Sequence, residues 1–467
     1  MLLDFVAVGL VALFVSLGVY GVVLMRQGGR RRVAGGVLVA ESLLLLGTFV
    51  FLSTFPFGIG EPLIRVRLEE TLLLTAIGLA AVAAAIAVVY AGARVFRRRR
   101  ARVLGSGPAV AGLLISLPLL AFAGFYALAR ISLPERERER DPSKRVIELA
   151  SGFTWNIYAQ GTMDNPTAIA FGPDGRLYVA DIAGSLWVAN DADGDGTAES
   201  LQRYADGFSL LVGLVWHQDE LYAASSGKIE ALRDSDGDGV ADQRRLVVGG
   251  LPSMVLRPHS NNGIAIGRDG RLYFGVGSTT SGQFEQDEHA AAILSVNPDG
   301  SDLRVFARGL GNSFDVAFNA NGDLFAGDNS PIGDGEELPD EFNYIVEGEH
   351  YGFPYFYGDP PENGGTRGAI VSFPPHSVPT GMTFYSADQY PDPYRDNAFV
   401  TLWGRGEVAR VEVGRTASGD YLGRTVTFGS GFLYPIDAIT GPDGNLYVAD
   451  FGTSAVYRIT YDPNKAW

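Results

Sequence analysis

The stretch Ile169-Ala-Phe-Gly-Pro-Asp-Gly-Arg-Leu-Tyr-Val-Ala-Asp181 joins a short apolar run to a second, alternating run through a turn built on Asp-Gly. It returns as Ile264-Ala-Ile-Gly-Arg-Asp-Gly-Arg-Leu-Tyr-Phe-Gly-Val276, Val316-Ala-Phe-Asn-Ala-Asn-Gly-Asp-Leu-Phe-Ala-Gly-Asp328 and Ala438-Ile-Thr-Gly-Pro-Asp-Gly-Asn-Leu-Tyr-Val-Ala-Asp450. Two degenerate copies fill the gaps, Gly213 to Ala224 and Gly381-Met-Thr-Phe-Tyr385 with Ala398-Phe-Val-Thr-Leu-Trp403. Each unit carries the signature of a β-hairpin. Hairpins repeated at intervals of roughly 45–66 residues, with no helical pattern between them, predict an all-β six-bladed β-propeller over residues 149–467.

Upstream the composition changes. Residues 1–130 hold 13 arginines against 5 acidic residues, whereas the rest of the chain holds 24 basic against 48 acidic ones. Four apolar runs, about Leu3–Leu24, Val33–Phe55, Thr71–Val89 and Pro108–Leu128, have the length needed to cross hydrocarbon, which predicts an all-α bundle of four transmembrane helices in the lipid bilayer. Arg26 and Arg30 to Arg32 follow the first run, and Arg97 to Arg100 with Arg102 follow the third, so both linkers are expected in the cytoplasm. The N-terminus and the C-terminal propeller then lie on the outer face. Glu41 falls inside the second run, where an ionisable side chain either bonds within the bundle or serves as a proton or quinone contact. All five histidines lie after residue 131, so this bundle offers no pair of axial haem ligands. Residues 131–148 alternate in charge between Pro134 and Pro142 and read as a solvated stalk.

Several functions are excluded by composition alone. The 467 residues contain no cysteine, which removes disulfides, thiolate metal sites, iron–sulfur clusters and thiol catalysis. A formal net charge of −16, concentrated in the second part, makes nucleic acid an improbable partner, since phosphate would be repelled.

Two loops share one spacing. Asp191, Asp193, Asp195 and Glu199 occupy the first, third, fifth and ninth places of one, and Asp234, Asp236, Asp238 and Asp242 those of the other. The carbonyls of Thr197 and Val240 stand at the seventh places, and Gly196 and Gly239 permit the sharp turn. That pattern wraps hard oxygen ligands round one ion, and calcium is the expected guest. The loops are similar to the nine-residue calcium loops of integrin α-chain propellers. The twelfth places hold Gln202 and Arg245, so the EF-hand pattern is not completed.

The remaining motifs resemble those of the glucose/sorbosone dehydrogenase family, six-bladed propellers that use pyrroloquinoline quinone (PQQ) and calcium to oxidise aldoses. The resemblance spans roughly residues 150–462 and rests on Pro258-His-Ser-Asn-Asn-Gly-Ile264, Gly311-Asn-Ser-Phe-Asp-Val-Ala-Phe318, Asp340-Glu-Phe-Asn-Tyr-Ile-Val-Glu-Gly-Glu-His-Tyr-Gly-Phe-Pro354 and Val378-Pro-Thr-Gly-Met-Thr-Phe-Tyr385. It implies that His259 is the catalytic base, taking the proton of the sugar's anomeric hydroxyl, a task for which an imidazole is suited near neutrality. It implies a calcium ion held by the carbonyls of Ser330 and Pro331, with Asn329 and Asp340 at neighbouring pocket positions and Asn312 against the cofactor. His376 precedes another matched motif and is a further funnel candidate.

The chain also departs from that pattern. The family neutralises the three PQQ carboxylates with arginines and a lysine, and at those positions this sequence has Gly311, Gly404, Tyr434 and Ile436. Arg405 and Arg257 are the nearest replacements. The leading expectation is therefore a membrane-anchored dehydrogenase that passes electrons from a sugar to a separate acceptor. The alternatives are a non-catalytic propeller that binds a carbohydrate or protein ligand, and a calcium-dependent lactonase using Asn262, Asn312 and Asp315.

Overall fold

The structure is a computed structural model that describes residues 140–253, 261–280, 282–330, 337–358 and 365–465. The four apolar runs, Glu41, residues 131–139 of the stalk, Arg257, His259 and Pro331 lie outside the described residues. No helix among the described residues is long and apolar enough to cross a membrane. The chain divides into residues 1–134 and residues 135–467, and the account below concerns the second unit.

Six antiparallel sheets follow one another as expected. Blade 1 spans 166–205, blade 2 213–249, blade 3 261–308, blade 4 313–373, blade 5 379–430 and blade 6 435–461. The first two strands of each are the hairpin read from the sequence, and the turn is local chemistry. In blades 1, 3, 4 and 6 the turn closes through one repeated pair of backbone bonds, such as Gly172 N–H to the Arg176 carbonyl and Gly175 N–H to the Gly172 carbonyl, at 2.9 and 3.0 Å. Gly175 and Gly270 both sit at φ 77°, a conformation that side chains disfavour, which explains the Asp-Gly pair.

The second strands, Leu177–Asp181, Leu272–Val276, Leu324–Asp328 and Leu446–Asp450, are buried at every residue because neighbouring blades cover both faces. Six apolar clusters result, one between each pair of adjacent blades. Leu177 and Val179 face blade 6, and the intervening Tyr178 and Ala180 face blade 2.

Two strands come from upstream of the first repeat. Phe153–Gln160 pairs with Ala455–Tyr461 as the outermost strand of blade 6, so the N-terminal end of the propeller closes the ring. Glu148–Leu149 adds a fifth strand to blade 5. Glu148 was assigned to the stalk from its charge pattern, and in the structure it is already paired with Ser430.

The innermost strands ring an axis, and their inner edges carry backbone groups that the sheets leave unpaired. Side chains of the neighbouring blade satisfy them. From blades 1, 3 and 5, Thr167, Asn262 and Thr380 donate to the carbonyls of Leu211, Ser313 and Pro435 in the following blade. From blades 4 and 6, Asp315 accepts the Met382 N–H at 2.8 Å and Asp437 accepts the Ile169 N–H at 2.7 Å. Blade 2 places Gly213 at the corresponding position, where a Cβ would lie 2.8 Å from the Asn262 carbonyl oxygen.

Asp315 and Asp437 lie deep in the ring yet stay partly accessible, so they line the axis. Burial pushes both carboxyls above the ordinary range, and the Asp437 charge raises Asp315 further. A carboxyl raised in the folded state stabilises the fold while protonated, and that contribution is lost as pH rises through its folded value, about 7 for Asp437. Urea unfolding should therefore show stability falling by about 1–3 kcal/mol between about pH 5 and pH 8. Asp315→Asn keeps an oxygen for the Met382 N–H and removes one of several raised carboxyls, so it should make that fall smaller; an unchanged slope would show that Asp315 does not titrate in this range.

Candidate functional site

In each blade the loop entering the first strand and the loop joining the second to the third emerge at the same end, because successive strands are antiparallel. That end collects Gly309–Asn312, Asn329, Ser330, Pro339, Pro374–Val378, Trp403–Gly406 and Gly431–Tyr434. This is the funnel face. The segment with His259 precedes blade 3 in the sequence and lies outside the described residues.

Buried carboxylates at the ends of strands hold these loops. Asp328 accepts the N–H groups of Gly311 and Asn312, each at 2.8 Å. Asp450 does the same for Leu433 and Tyr434 at 2.7 and 3.0 Å, and Asp181 for Asp164. These aspartates close three of the sequence repeats, and the repeat itself was the signal that could have marked them. Asp340 bridges two blades by accepting the Ser330 N–H and the Val378 N–H, both at 2.9 Å. Burial raises the carboxyls of Asp328, Asp340 and Asp450, and with Glu341 nearby Asp328 is pushed up to about 8.

The structure brings together Asn312, Asn329, Ser330 and Asp340. The Asn329 N–H donates to the Asn312 carbonyl at 3.2 Å. Asn312 is buried, and its Oδ1 accepts from Asn262 Nδ2 at 2.9 Å. The Oδ1 of Asn329 is buried without a hydrogen-bond partner among the described residues. A buried acceptor without a donor is unfavourable unless something else occupies it. With Ser330 beside it, the donor set is all oxygen and suits a hard cation, so these residues fit calcium. Arg405 does not join them, being exposed and paired with Glu407 at 3.1 Å. The three lactonase candidates lie close together, and each already has a partner. Asn262 bonds Asn312 and Ser313, and Asp315 is turned to Met382.

The acidic loops join the third and fourth strands of blades 1 and 2, at the end opposite the funnel. Asp191, Asp193, Asp195 and Glu199 each offer an oxygen within 4.8 Å of the others, as do Asp234, Asp236 and Asp238. Asp191 accepts the N–H groups of Gly194 and Gly196, and Asp234 those of Gly237 and Gly239, so the loops share one conformation. Asp242 stands outside its cluster, binding the Ser235 N–H and hydroxyl.

A family model described as a domain of unknown function, DUF7133, matches residues 139–351. A protein of Borreliella burgdorferi described as uncharacterized is 26% identical over 357 residues, 68% of this chain and 91% of that one. Quinoprotein glucose dehydrogenase B of Acinetobacter calcoaceticus is 23% identical over 258 residues, 43% of this chain and about half, 52%, of that protein. Among solved structures, a putative oxidoreductase (glucose dehydrogenase) of Thermus thermophilus is 24% identical and covers 66% of this chain and 100% of its own, with a TM-score of 0.57. The PQQ-bound aldose sugar dehydrogenase of Streptomyces coelicolor is 18% identical, with 67% of this chain and 99% of that one covered and a TM-score of 0.52. The chain has the propeller fold of these sugar dehydrogenases. The resemblance drawn from the motifs is thereby borne out.

The positions where the family places cations are filled in another way. A Cβ on Gly404 would lie 2.1 Å from the His376 carbonyl oxygen, so this backbone admits no side chain there. Tyr434 and Ile436 belong to one apolar cluster with Trp403, Phe451, Phe314 and Ile182. Trp403 stacks on Tyr434 with centroids 5.0 Å apart and planes at 23°, and meets Phe451 at 4.9 Å. The described residues therefore fit the calcium of these enzymes and not the three carboxylates of PQQ.

Asp340→Ala would leave two loop N–H groups without an acceptor and should cost about 2–4 kcal/mol. Thermal unfolding checks this, and a shift no larger than that of a surface substitution would show that the two loops are held by other contacts.

Proposed function

We propose that this chain is a membrane-anchored, extracytoplasmic oxidoreductase of the aldose dehydrogenase kind, with a sugar in the funnel and a separate protein or small molecule carrying electrons away. The four apolar runs supply the anchor and the arginine distribution the orientation. His259 takes the anomeric proton, and calcium is bound by Asn329, Ser330 and Pro331 with Asp340 fixing the loop. The observation that carries this reading is the buried, partnerless Asn329 Oδ1 next to a serine held by Asp340. The named relatives support it, since those whose names state an activity are sugar dehydrogenases. A carbohydrate-binding propeller without catalysis is the second reading, and the filled cation positions favour it.

Two assays test this. A panel of aldoses should give sugar-dependent reduction of an artificial acceptor by the calcium-loaded full chain, and His259→Ala should lower it about 100-fold or more. Saturable sugar binding with no oxidation under any acceptor would establish the second reading in its place. Calcium in the two acidic loops should raise the melting temperature, because an ion bound only by the folded state stabilises it. Chelation should reverse that rise, and Asp193→Ala with Asp236→Ala should make the difference smaller, leaving only the part due to the funnel ion; a melting temperature indifferent to chelation in the parent chain would remove calcium from the loops.

A further inference from the structure

The dehydrogenase reading needs a hydride acceptor, and the funnel floor constrains what it is. On the side of blades 5 and 6 this floor consists of Trp403, Tyr434 and Phe451 with Phe314, Ile182 and Ile436. Trp403, Tyr434 and Phe314 keep part of their surface accessible. Leu433 and Tyr434 are fixed by Asp450, and the Phe451 N–H donates to the Tyr434 carbonyl at 2.9 Å, so the rings are held in place before a ligand arrives.

Among the described residues at this end, four basic side chains are already engaged. Arg405 pairs with Glu407, Lys228 with Glu230 at 2.8 Å and Arg308 with Glu288 at 3.3 Å. Arg145 donates to the carbonyls of Gly431 and Phe432. The buried Asp450 carboxyl lies next to Tyr434 and adds no positive charge. Electron-rich ring faces disfavour an anion, and burying one without a paired cation is costly. That excludes a tricarboxylate quinone from this floor, and by the same physics the phosphate-bearing nicotinamide and flavin nucleotides. A flat ring without charge meets no such penalty and gains by stacking.

We propose that the Trp403–Tyr434–Phe451 floor seats an uncharged quinone, which accepts the hydride from the sugar in place of a tricarboxylate cofactor. This rests on the sugar-oxidising reading above. The anomeric C–H bond breaks and its electron pair leaves with the hydrogen to the quinone. The anomeric O–H proton goes to His259, a carbon–oxygen double bond forms, and the sugar becomes a lactone. The quinone, having taken the hydride, acquires the proton from His259 through solvent and is released as hydroquinone.

The full chain, calcium-loaded and kept anaerobic, would be given an aldose panel with either duroquinone or PQQ as the only oxidant. Duroquinone alone should yield lactone and hydroquinone in equal amounts, and should quench tryptophan emission saturably. Trp403→Ala should raise the KM for duroquinone by about tenfold or more with the KM for sugar little changed, and Trp403→Phe should restore most of it. Tyr434→Arg should reverse the preference, strengthening PQQ binding about tenfold and weakening that of duroquinone. Oxidation that requires PQQ while duroquinone is inert, or duroquinone kinetics indifferent to both Trp403→Ala and Tyr434→Arg, would overturn the inference and leave the dehydrogenase reading standing. No oxidation with either oxidant would overturn both.

Discussion

The propeller depends on how it satisfies the backbone around its axis. A sheet whose first strand faces a narrow channel leaves a row of N–H and C=O groups with neither strand nor bulk water beside them, and each unpaired group is costly. Thr167, Asn262 and Thr380 donate across one set of junctions, and Asp315 and Asp437 accept across another. These bonds run from one blade to the next, so they set the ring's closure as well as its polar balance. The packing is fitted to them. A Cβ on Gly263 would fall 2.0 Å from Asp315 Oδ1 and one on Gly381 2.2 Å from Asp437 Oδ1, so the blade ahead of each aspartate carries a residue without a side chain.

The same device recurs at the funnel. Asp328, Asp450 and Asp340 use buried carboxylates to hold loops that have no regular partner. A carboxylate accepts several N–H groups at once, which suits an irregular loop, and its burial raises its own pKa. The consequence is electrostatic. Such loops offer a ligand's carboxylates no positive charge to pair with, so a tricarboxylate can enter only where cations are supplied. The dehydrogenase family resolves this with arginines and a lysine. Here the corresponding positions are closed by the His376 carbonyl or filled by rings.

The sequence made some of this legible and not the rest, for physical reasons. The hairpins were readable because an Asp-Gly turn is decided by four adjacent residues. Ring closure by Phe153–Gln160 was not, since its partner, Ala455–Tyr461, lies some 300 residues away and no local pattern announces the pairing. Carboxylate spacing marked the two clusters of acidic side chains; both ninth-place carboxylates accept the second-place N–H, and only the longer Glu199 also reaches the other carboxylates of its loop. Departures from the family pattern were visible residue by residue. That Gly404 is a place where no side chain fits, and not merely a missing lysine, emerged only from the approach of the His376 carbonyl, a contact across a loop.

The placement of the two kinds of acidic site has a further consequence. The nine-residue loops sit at the end of blades 1 and 2 away from the funnel, whereas Asn329, Ser330 and Asp340 sit at the funnel end of blade 4. An ion in the first kind would stabilise blade edges and leave the ligand site untouched; an ion in the second would act on the ligand directly. The two are also chemically unlike, one offering three or four carboxylates, most of them exposed, and the other a carbonyl-type oxygen with no donor. A carboxylate-rich loop binds through charge and weakens with salt, while a buried neutral oxygen contributes by removing its own desolvation penalty. Stability and ligand binding can therefore respond to the same ion at different concentrations, because different physics governs each end of the ring.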